Sequence, residues 1–275
     1  MKQVVASVIA NSEVKPGIYL VWLEVLQMAS VAQPGQFVMV RCGENTLLPR
    51  PLSVHQVTEG KLALLFAIVG KGTEWLSARQ VGDSVDVLGP LGNGFSVYPA
   101  SKKLLLLAGG TGIAPLHFLA ERAKSQGYMV HVHEAVNTAG QLMLDVLSPH
   151  YIRVPYSGVP AATTLYGSAD TIVGTASTAD GSAGVKGLAN VCIPGLADWA
   201  DQIFACGPLP MYKTMAEIPE LRNRPVQISL EIRMGCGRGV CYGCTIRTKG
   251  GLKKVCELGP IFNLDDIFWD ERGFI

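Results

Sequence analysis

The first part of the chain alternates short apolar stretches with turn signals. Because β-branched and aromatic residues favour strands while Gly and Pro mark turns, each stretch predicts a strand. The six predicted strands span residues 3–10, 18–26, 36–42, 52–57, 62–69 and 84–88, with one short helix at 75–79. Closely spaced strands without a long helix are typical of a small antiparallel barrel, so we expect a β barrel over residues 1–98.

The pattern changes near Tyr98, where strands and helices begin to alternate. Residues 102–108 are almost entirely aliphatic, which is typical of a strand buried on both faces of a parallel sheet. Further strands are predicted at 129–133, 151–154 and 202–206, and helices at 115–126, 141–147 and 211–216. The alternation predicts a doubly wound α/β domain over residues 99–225. Residues 171–187 are rich in Gly, Ser, Ala and Thr, and a flexible loop is one interpretation of them.

Composition excludes several functional classes. The 275 residues carry a net charge of +1, and only 16% of them are charged. With so little net charge, the chain lacks the excess of basic residues that binds nucleic acid or an anionic membrane. No apolar run reaches the ~20 residues of a membrane-spanning helix, and the N-terminal apolar stretch is too short for a signal peptide. We therefore expect a cytoplasmic protein that binds neither nucleic acid nor membrane.

Four of the seven cysteines cluster near the C-terminus. Cys236, Cys241 and Cys244 are spaced C-x4-C-x2-C, and Cys256 follows after eleven intervening residues. This is the spacing of plant-type 2Fe-2S sites, although the last cysteine comes early. Structural zinc is the alternative, but zinc sites favour two C-x2-C pairs and only one is present. Residues 226–275 are too few for a substantial core, so we expect a metal group to hold this third unit together.

Several turns have the character of nucleotide-binding segments. Residues 50–53 (RPLS) begin a strand, and the Gly turn at 69–73 offers N–H groups to phosphate; each signal is weak alone. Residues 108–115 follow a strand and open a helix, as a dinucleotide-binding turn requires. Glu134 ends the next predicted strand, where an acid could bind a ribose hydroxyl or could simply be exposed. Cys206 ends a strand at the sheet edge where ligands bind.

Taken in order, these segments resemble a known family. The motifs RPLS, GKGT, GPLGNGF, AGGTGIAP and CGP, followed by a cysteine cluster, are similar to the ferredoxin–NADP reductase superfamily. Within that superfamily, the segment SLE-x-RM-x-CG-x-G-x-C-x-GC at 229–244 resembles the dihydroorotate dehydrogenase B electron-transfer subunit. The resemblance covers almost the whole chain, and the cysteine segment is its most specific part.

The resemblance implies three cofactor sites. The implied FAD contacts are Arg50, Pro51, Leu52, Ser53, Leu65, Phe66, Ala67, Gly72 and Thr73. The implied NAD contacts are Gly110, Thr111, Gly112, Asp180, Cys206 and Gly207. The implied ligands of a 2Fe-2S cluster are Cys236, Cys241, Cys244 and Cys256. Ala67 stands where the family often has Arg, and residues 134–137 replace a Gly-x-Arg segment, so adenosine contacts differ from the family pattern. Asp180 and Glu134 would repel a 2′-phosphate, which favours NAD over NADP.

The implied function is that of an NAD-linked oxidoreductase subunit in pyrimidine biosynthesis. Electrons would pass between NAD and the FMN of a dihydroorotate dehydrogenase catalytic subunit through FAD and 2Fe-2S, in a heterotetramer with two copies of each chain. No acid–base residue is required. Two alternatives stay open: a related reductase subunit of sulfite reductase, a hydrogenase or a ferredoxin:NADP transhydrogenase, or a conduit to a ferredoxin that does not use NAD. Cys42 and Cys192 are expected to be small buried hydrophobes.

Overall fold

The N-terminal strands close into a barrel. A computed structural model describes residues 1–44, 46–147, 150–154 and 171–270. The barrel consists of β1 Lys2–Lys15, β2 Ile18–Glu24, β3 Phe37–Arg41, β4 Arg50–Thr58, β5 Lys61–Ala67 and β6 Ser84–Leu91, with helices α1 Leu26–Ala29 and α2 Lys71–Ser77 between strands. Strands are ordered β1-β2-β5-β4-β3-β6, and all neighbours are antiparallel. The predicted barrel is confirmed, although β1 continues past its expected end because its polar residues 11–13 still pair with β2.

The middle of the chain forms a parallel sheet with helices. Its elements are β7 Lys103–Gly109, α3 Ile113–Ser125, β8 Met129–Val136, α4 Leu144–Leu147, β9 Tyr151–Arg153, β10 Ile172–Thr178, β11 Val185–Lys186, α5 Ile193–Ala197, β12 Gln202–Cys206, α6 Leu209–Glu217 and β13 Val226–Ser229. The sheet order is β11-β10-β8-β7-β12-β13-β16, where β16 is Ile261–Asn263 from the C-terminal segment, and β9 lies beside β10. The aliphatic run in β7 is fully buried, as expected for a central strand. The predicted α/β architecture is confirmed.

The segment interpreted as a flexible loop contains a buried strand, β10. All seven residues of β10 are buried, and they pair in parallel with β8. Small side chains let neighbouring layers approach: a Cβ on Gly174 would lie 3.1 Å from the Leu144 side chain of α4. The Gly, Ser, Ala and Thr content of residues 171–187 does not distinguish a flexible loop from this strand, because small residues occur both in flexible loops and in closely packed strands.

The C-terminal segment shares a core with the rest of the molecule. It contains β14 Thr245–Thr248, β15 Gly251–Lys254, α7 Val255–Leu258 and β16 Ile261–Asn263. β13 pairs in parallel with β12, and β16 pairs antiparallel with β13. Ile246, Val255 and Phe262 belong to the same buried cluster as Met39 of the barrel and Ile203 of the sheet. The limits at residues 98 and 225 stay predictions. Across the part of the chain that is described, no helix has the length and apolar character needed to cross a bilayer.

Four histidines are buried and held neutral. The rings of His55 in the barrel and His117 in α3 stack with centroids 4.5 Å apart. His131 and His133 each place a ring nitrogen within 2.9 Å of Thr175 Oγ1. Burial lowers the pKa of His55 and His133 to about 4 and that of His131 to about 3, and it lowers the pKa of His117 well below its usual value. These residues pack in the interior and at the junction of barrel and sheet.

Acid should therefore destabilise the protein in a defined window. Each histidine gains its proton only on unfolding. Its contribution to the free energy of unfolding is therefore complete above pH ~6.5, and as the pH falls toward 4 that free energy drops by ~1.4 kcal/mol per pH unit for each histidine. Glu134, whose pKa is raised to about 7, opposes this trend. Four histidines opposed by one carboxyl leave about three protons taken up on unfolding, so we expect the free energy of unfolding to fall by roughly 4 kcal/mol per pH unit near pH 5. Urea unfolding across this range measures the slope. His133→Asn should lower this slope by the equivalent of about one proton. A free energy of unfolding that does not change with pH would contradict the burial of these histidines in neutral form.

Candidate functional site

A cavity of about 630 Å³ opens where the barrel, the sheet and the segment before the cysteines meet. Its volume falls within the range of cofactor sites, roughly 300–1,000 Å³. Eight of the nine expected FAD contacts line it: Arg50, Pro51, Leu52, Ser53, Leu65, Phe66, Ala67 and Thr73. The ninth, Gly72, lies directly behind Arg50, since a Cβ there would be 2.5 Å from Arg50 Nε. The structure thus brings the expected flavin residues together in one cavity.

One end of this cavity is suited to phosphate. The Arg50 guanidinium donates to the Leu48 carbonyl at 2.8 Å, which orients its charge. Gly72 and Thr73 lie in the first turn of α2, where backbone N–H groups lack intrahelical partners. Thr73 Oγ1 accepts from the Val69 N–H at 2.9 Å and so closes the turn before α2. Ala67 offers no charge to this cavity, whose lining includes two cations, Arg50 and Arg233.

The expected nucleotide residues meet at the carboxyl edge of the sheet. Gly110 and Gly112 form the turn between β7 and α3, and Gly110 adopts the left-handed conformation with φ of +55°. Gly112 packs against the end of β12, since a Cβ there would lie 2.0 Å from the Cys206 carbonyl oxygen. Thr111, between them, lines the flavin cavity. Gly207, next to Cys206, donates its N–H to Tyr212 Oη at 2.8 Å.

Glu231 also belongs to this site, although it is absent from the residues predicted from the sequence. Cys206 Sγ lies 3.9 Å from Glu231 Oε1, and Glu231 lines the cavity. Burial raises the pKa of the Glu231 carboxyl, while the nearby Cys206 thiol lowers it. The residue keeps solvent contact through the open cavity. The sequence feature that could have identified Glu231 is its position in the SLE motif, five residues before the first clustered cysteine.

Glu134 corrects the sequence interpretation. It is fully buried, and its carboxylate accepts from the N–H groups of Met143 at 2.7 Å and Leu144 at 3.2 Å. Glu134 is therefore not an exposed acid at the sheet edge, because β8 continues to Val136 and keeps the carboxylate inside the sheet layer. Asp180, by contrast, is exposed on the loop after β10, and hydrogen bonds from Ser182 lower its pKa.

The four clustered cysteines form two pairs. The thiols of Cys236 and Cys241 are hydrogen-bond neighbours, and so are those of Cys244 and Cys256. Burial alone would raise the pKa of Cys236, but N–H groups of the loop lower it to about 6. The Arg238 N–H points to Cys236 Sγ at 3.3 Å. All seven cysteines lie in the described ranges, and none forms a disulfide.

Two thiol pairs fit a dinuclear cluster. A 2Fe-2S cluster takes two thiolates at each iron, whereas a single zinc ion needs four converging ligands. Within the described ranges, no three His, Cys, Asp or Glu side chains converge on one ion position. Backbone N–H groups at Gly239 and Cys256 point to the sulfurs of Cys256 and Cys244, at 3.3 and 3.4 Å. Such donors favour the anionic cluster that an iron–sulfur site holds.

The cysteine loop lies against the barrel. Gly237 has a φ of +65°, and a Cβ there would lie 2.5 Å from Met39 Cγ. Met39 is two residues from Phe37 on β3, and Phe37 lines the flavin cavity. One strand therefore contacts both candidate redox sites.

Comparisons with known proteins agree with this geometry. Residues 231–268 match the family model for the iron–sulfur cluster binding domain of dihydroorotate dehydrogenase B. The dihydroorotate dehydrogenase B (NAD(+)) electron transfer subunit of Desulforamulus reducens is 35% identical, with 96% of this chain and 98% of that protein covered. The subunit of the same name from Bacillus caldolyticus is 37% identical over 86% of each chain.

Solved structures share the fold over most of the chain. A structure of an NADH-dependent reduced ferredoxin-NADP oxidoreductase aligns with a TM-score of 0.79 and 26% identity, over 98% of this chain and 91% of that one. A ferredoxin NADP+ reductase from Neisseria gonorrhoeae with bound FAD and NADP shares the fold, with a TM-score of 0.61 and 16% identity over 83% and 98%. Sequence identity over nearly the full length shows that the chain belongs to the family of dihydroorotate dehydrogenase B electron transfer subunits.

Proposed function

We propose that this chain carries electrons between NAD and the FMN of a dihydroorotate dehydrogenase catalytic subunit. The observation that carries the proposal is the shared strand β3, which contacts the flavin-sized cavity at Phe37 and the cysteine loop at Met39. A bound flavin exchanges two electrons with a nicotinamide and single electrons with an iron–sulfur cluster. Placing both sites on one rigid strand suits that exchange.

The barrel residues would bind and orient FAD. Arg50 would neutralise the pyrophosphate charge, aided by the N–H groups of Gly72 and Thr73. Pro51, Leu52 and Ser53 would line one side of the isoalloxazine ring, and the ring's other contacts would come from Leu65, Phe66 and Ala67.

The sheet edge would bind NAD. Gly110, Thr111 and Gly112 would approach the phosphates at the start of α3, and Cys206 and Gly207 would lie near the nicotinamide. Exposed Asp180 would hydrogen-bond a ribose hydroxyl and repel a 2′-phosphate, so we propose NAD rather than NADP as the substrate. Glu134 is buried and takes no part in this choice.

The partner would cover the surface beside the cysteines. Leu47, Val240 and Tyr242 are large apolar residues with exposures of 96%, 72% and 66%, and Cys241 is exposed beside them. We propose that an FMN-containing subunit docks here, with two copies of each chain in the assembly, in the cytoplasm, where thiol ligands stay reduced.

Glu231 should impose a pH dependence on flavin reduction by NADH. Its ionised carboxylate would oppose negative charge gained in the same cavity, so the rate should decline as pH rises through its raised pKa. Glu231→Gln should give a flat profile, whereas Glu220→Gln, an exposed acid outside this cavity, should not. Stopped-flow reduction at several pH values provides the measurement. Identical profiles for wild type and Glu231→Gln would contradict this role.

Anaerobic mixing with NADH or NADPH tests the proposal. We expect NADH to bleach the flavin and then the visible absorption of the cluster, with NADPH much slower. A protein with tight zinc and no iron, or with a flavin that millimolar NADH leaves oxidised but a reduced partner bleaches, would overturn it. A preference for NADPH would favour a transhydrogenase subunit instead, a function suggested by the similarity to the NADH-dependent reduced ferredoxin-NADP oxidoreductase.

A further inference from the structure

The segment between the last cysteine and β16 contacts both candidate redox sites. Cys256, a proposed cluster ligand, lies in α7, and Pro260, four residues later, lines the flavin cavity. The Leu230 N–H donates to the Pro260 carbonyl at 2.9 Å, so this segment also borders the residue before Glu231. Any shift of residues 256–261 would alter the spacing of the two sites.

Asn93, from the GPLGNGF motif after β6, holds this segment to the barrel. Its Nδ2 donates to the carbonyls of Ile261 at 2.8 Å and Leu258 at 3.2 Å, and its Oδ1 accepts from the Ile261 N–H at 2.9 Å. Its backbone N–H donates to the Gly259 carbonyl at 2.6 Å. Four hydrogen bonds from one residue thus join chain segments 168 residues apart.

Close packing next to Asn93 leaves the segment little freedom. A Cβ on Gly92 would lie 2.3 Å from the Gly259 carbonyl oxygen and 2.7 Å from Pro260 Cδ. Elsewhere on the same unit, Gly237 packs on Met39 and Leu91 of the barrel. The C-terminal unit therefore packs on the barrel both near Gly237 and near Gly92, and at the second of these contacts Asn93 supplies hydrogen bonds.

We propose that Asn93 is a positioning residue that fixes the spacing of the flavin and cluster sites, and so the rate of electron transfer between them. This inference rests on the proposed function. Asn93 is not among the residues that line the cavity, and its hydrogen bonds go to Leu258, Gly259 and Ile261 rather than to a cysteine, so its removal should leave hydride transfer from NADH and cofactor content intact. Because the side chain is solvent-exposed, truncation leaves no buried cavity, and the variant is expected to fold.

Asn93→Ala and a control, Asn263→Ala, test this role. Asn263 is an exposed asparagine on β16 whose side chain bonds only locally, to Asp266 at 3.0 Å. Two quantities are measured: the dipolar coupling between the unpaired electrons of the flavin and the cluster in pulsed EPR, and the flavin-to-cluster transfer rate. We expect Asn93→Ala to broaden or weaken the coupling and to slow transfer about tenfold, with flavin reduction by NADH unchanged. Asn263→Ala should match the wild type in both.

The outcomes are distinguishable. Wild-type coupling and transfer in Asn93→Ala would overturn the positioning role alone. An equal loss of coupling and of transfer rate in both variants would overturn it as well, since any substitution that weakens the C-terminal unit would then have the same effect. A wild-type protein that lacks either cofactor would overturn the proposed function, and this inference with it.

Discussion

Replacing Cys256 with serine should remove most of the iron from the protein and leave its flavin in place. Cys256 lies buried in α7, pairs with the Cys244 thiol and accepts the Gly239 N–H, so it would supply one of the four proposed thiolates. A serine hydroxyl is a poor substitute for a thiolate ligand. Iron should fall from about two per chain toward none, and dihydroorotate-linked NAD reduction should fall at least ~100-fold.

A buried cysteine outside the cluster provides the control. Cys192 begins α5 in the core of the α/β domain, and Cys192→Ala removes a thiol of equal size. We expect this variant to keep its iron and flavin at a cost of ~1 kcal/mol in the free energy of unfolding. Full iron in Cys256→Ser, or equal iron loss in Cys192→Ala, would contradict the ligand assignment. Iron analysis and visible spectra decide between these results.

Gly112→Ala should have the second-largest effect, at the turn between β7 and α3. The φ of Gly112 is −59°, so alanine suits the backbone conformation, and the expected damage is purely steric. The new Cβ would lie 2.0 Å from the oxygen and 2.4 Å from the carbon of the Cys206 carbonyl, in the buried strand β12. The turn that would bind NAD must then move away from β12. We expect flavin reduction by NADH to slow at least ~10-fold and the free energy of unfolding to fall by ~3 kcal/mol.

Gly140→Ala is the matched control. Gly140 lies in the loop before α4, and the nearest atom to a new Cβ there is Thr138 Oγ1 at 3.8 Å. This variant should match the wild type in both thermal unfolding and NADH kinetics. Wild-type kinetics in Gly112→Ala would show that the nucleotide does not use this turn.

Local sequence signals predicted most of the architecture. Gly and Pro residues between the apolar stretches marked the ends of the barrel strands, because these residues favour turns. The aliphatic run of β7 identified the central strand of the sheet, because a strand buried on both faces is apolar throughout. The cysteine spacing was equally informative, since the four ligands lie in one short segment. Each of these features depends on residues close together in the chain.

The failures involve contacts between distant segments or elements of unexpected length. Glu134 was misjudged because β8 is longer than its apolar pattern indicated, which places the carboxylate beneath α4. The strand β10 was obscured by small residues that pack closely. Glu231 joins the site only when three chain segments meet around the cavity, and Asn93 contacts a segment 168 residues away. No pattern within a short window contains that information.

The most direct test of the account is dihydroorotate-dependent NAD reduction by the chain co-purified with its FMN-containing partner. We expect NAD reduction that requires both subunits, accompanied by transient bleaching of the cluster absorption, and its loss in Cys256→Ser. A complex with bound FMN, FAD and iron that oxidises dihydroorotate without reducing NAD would contradict the account.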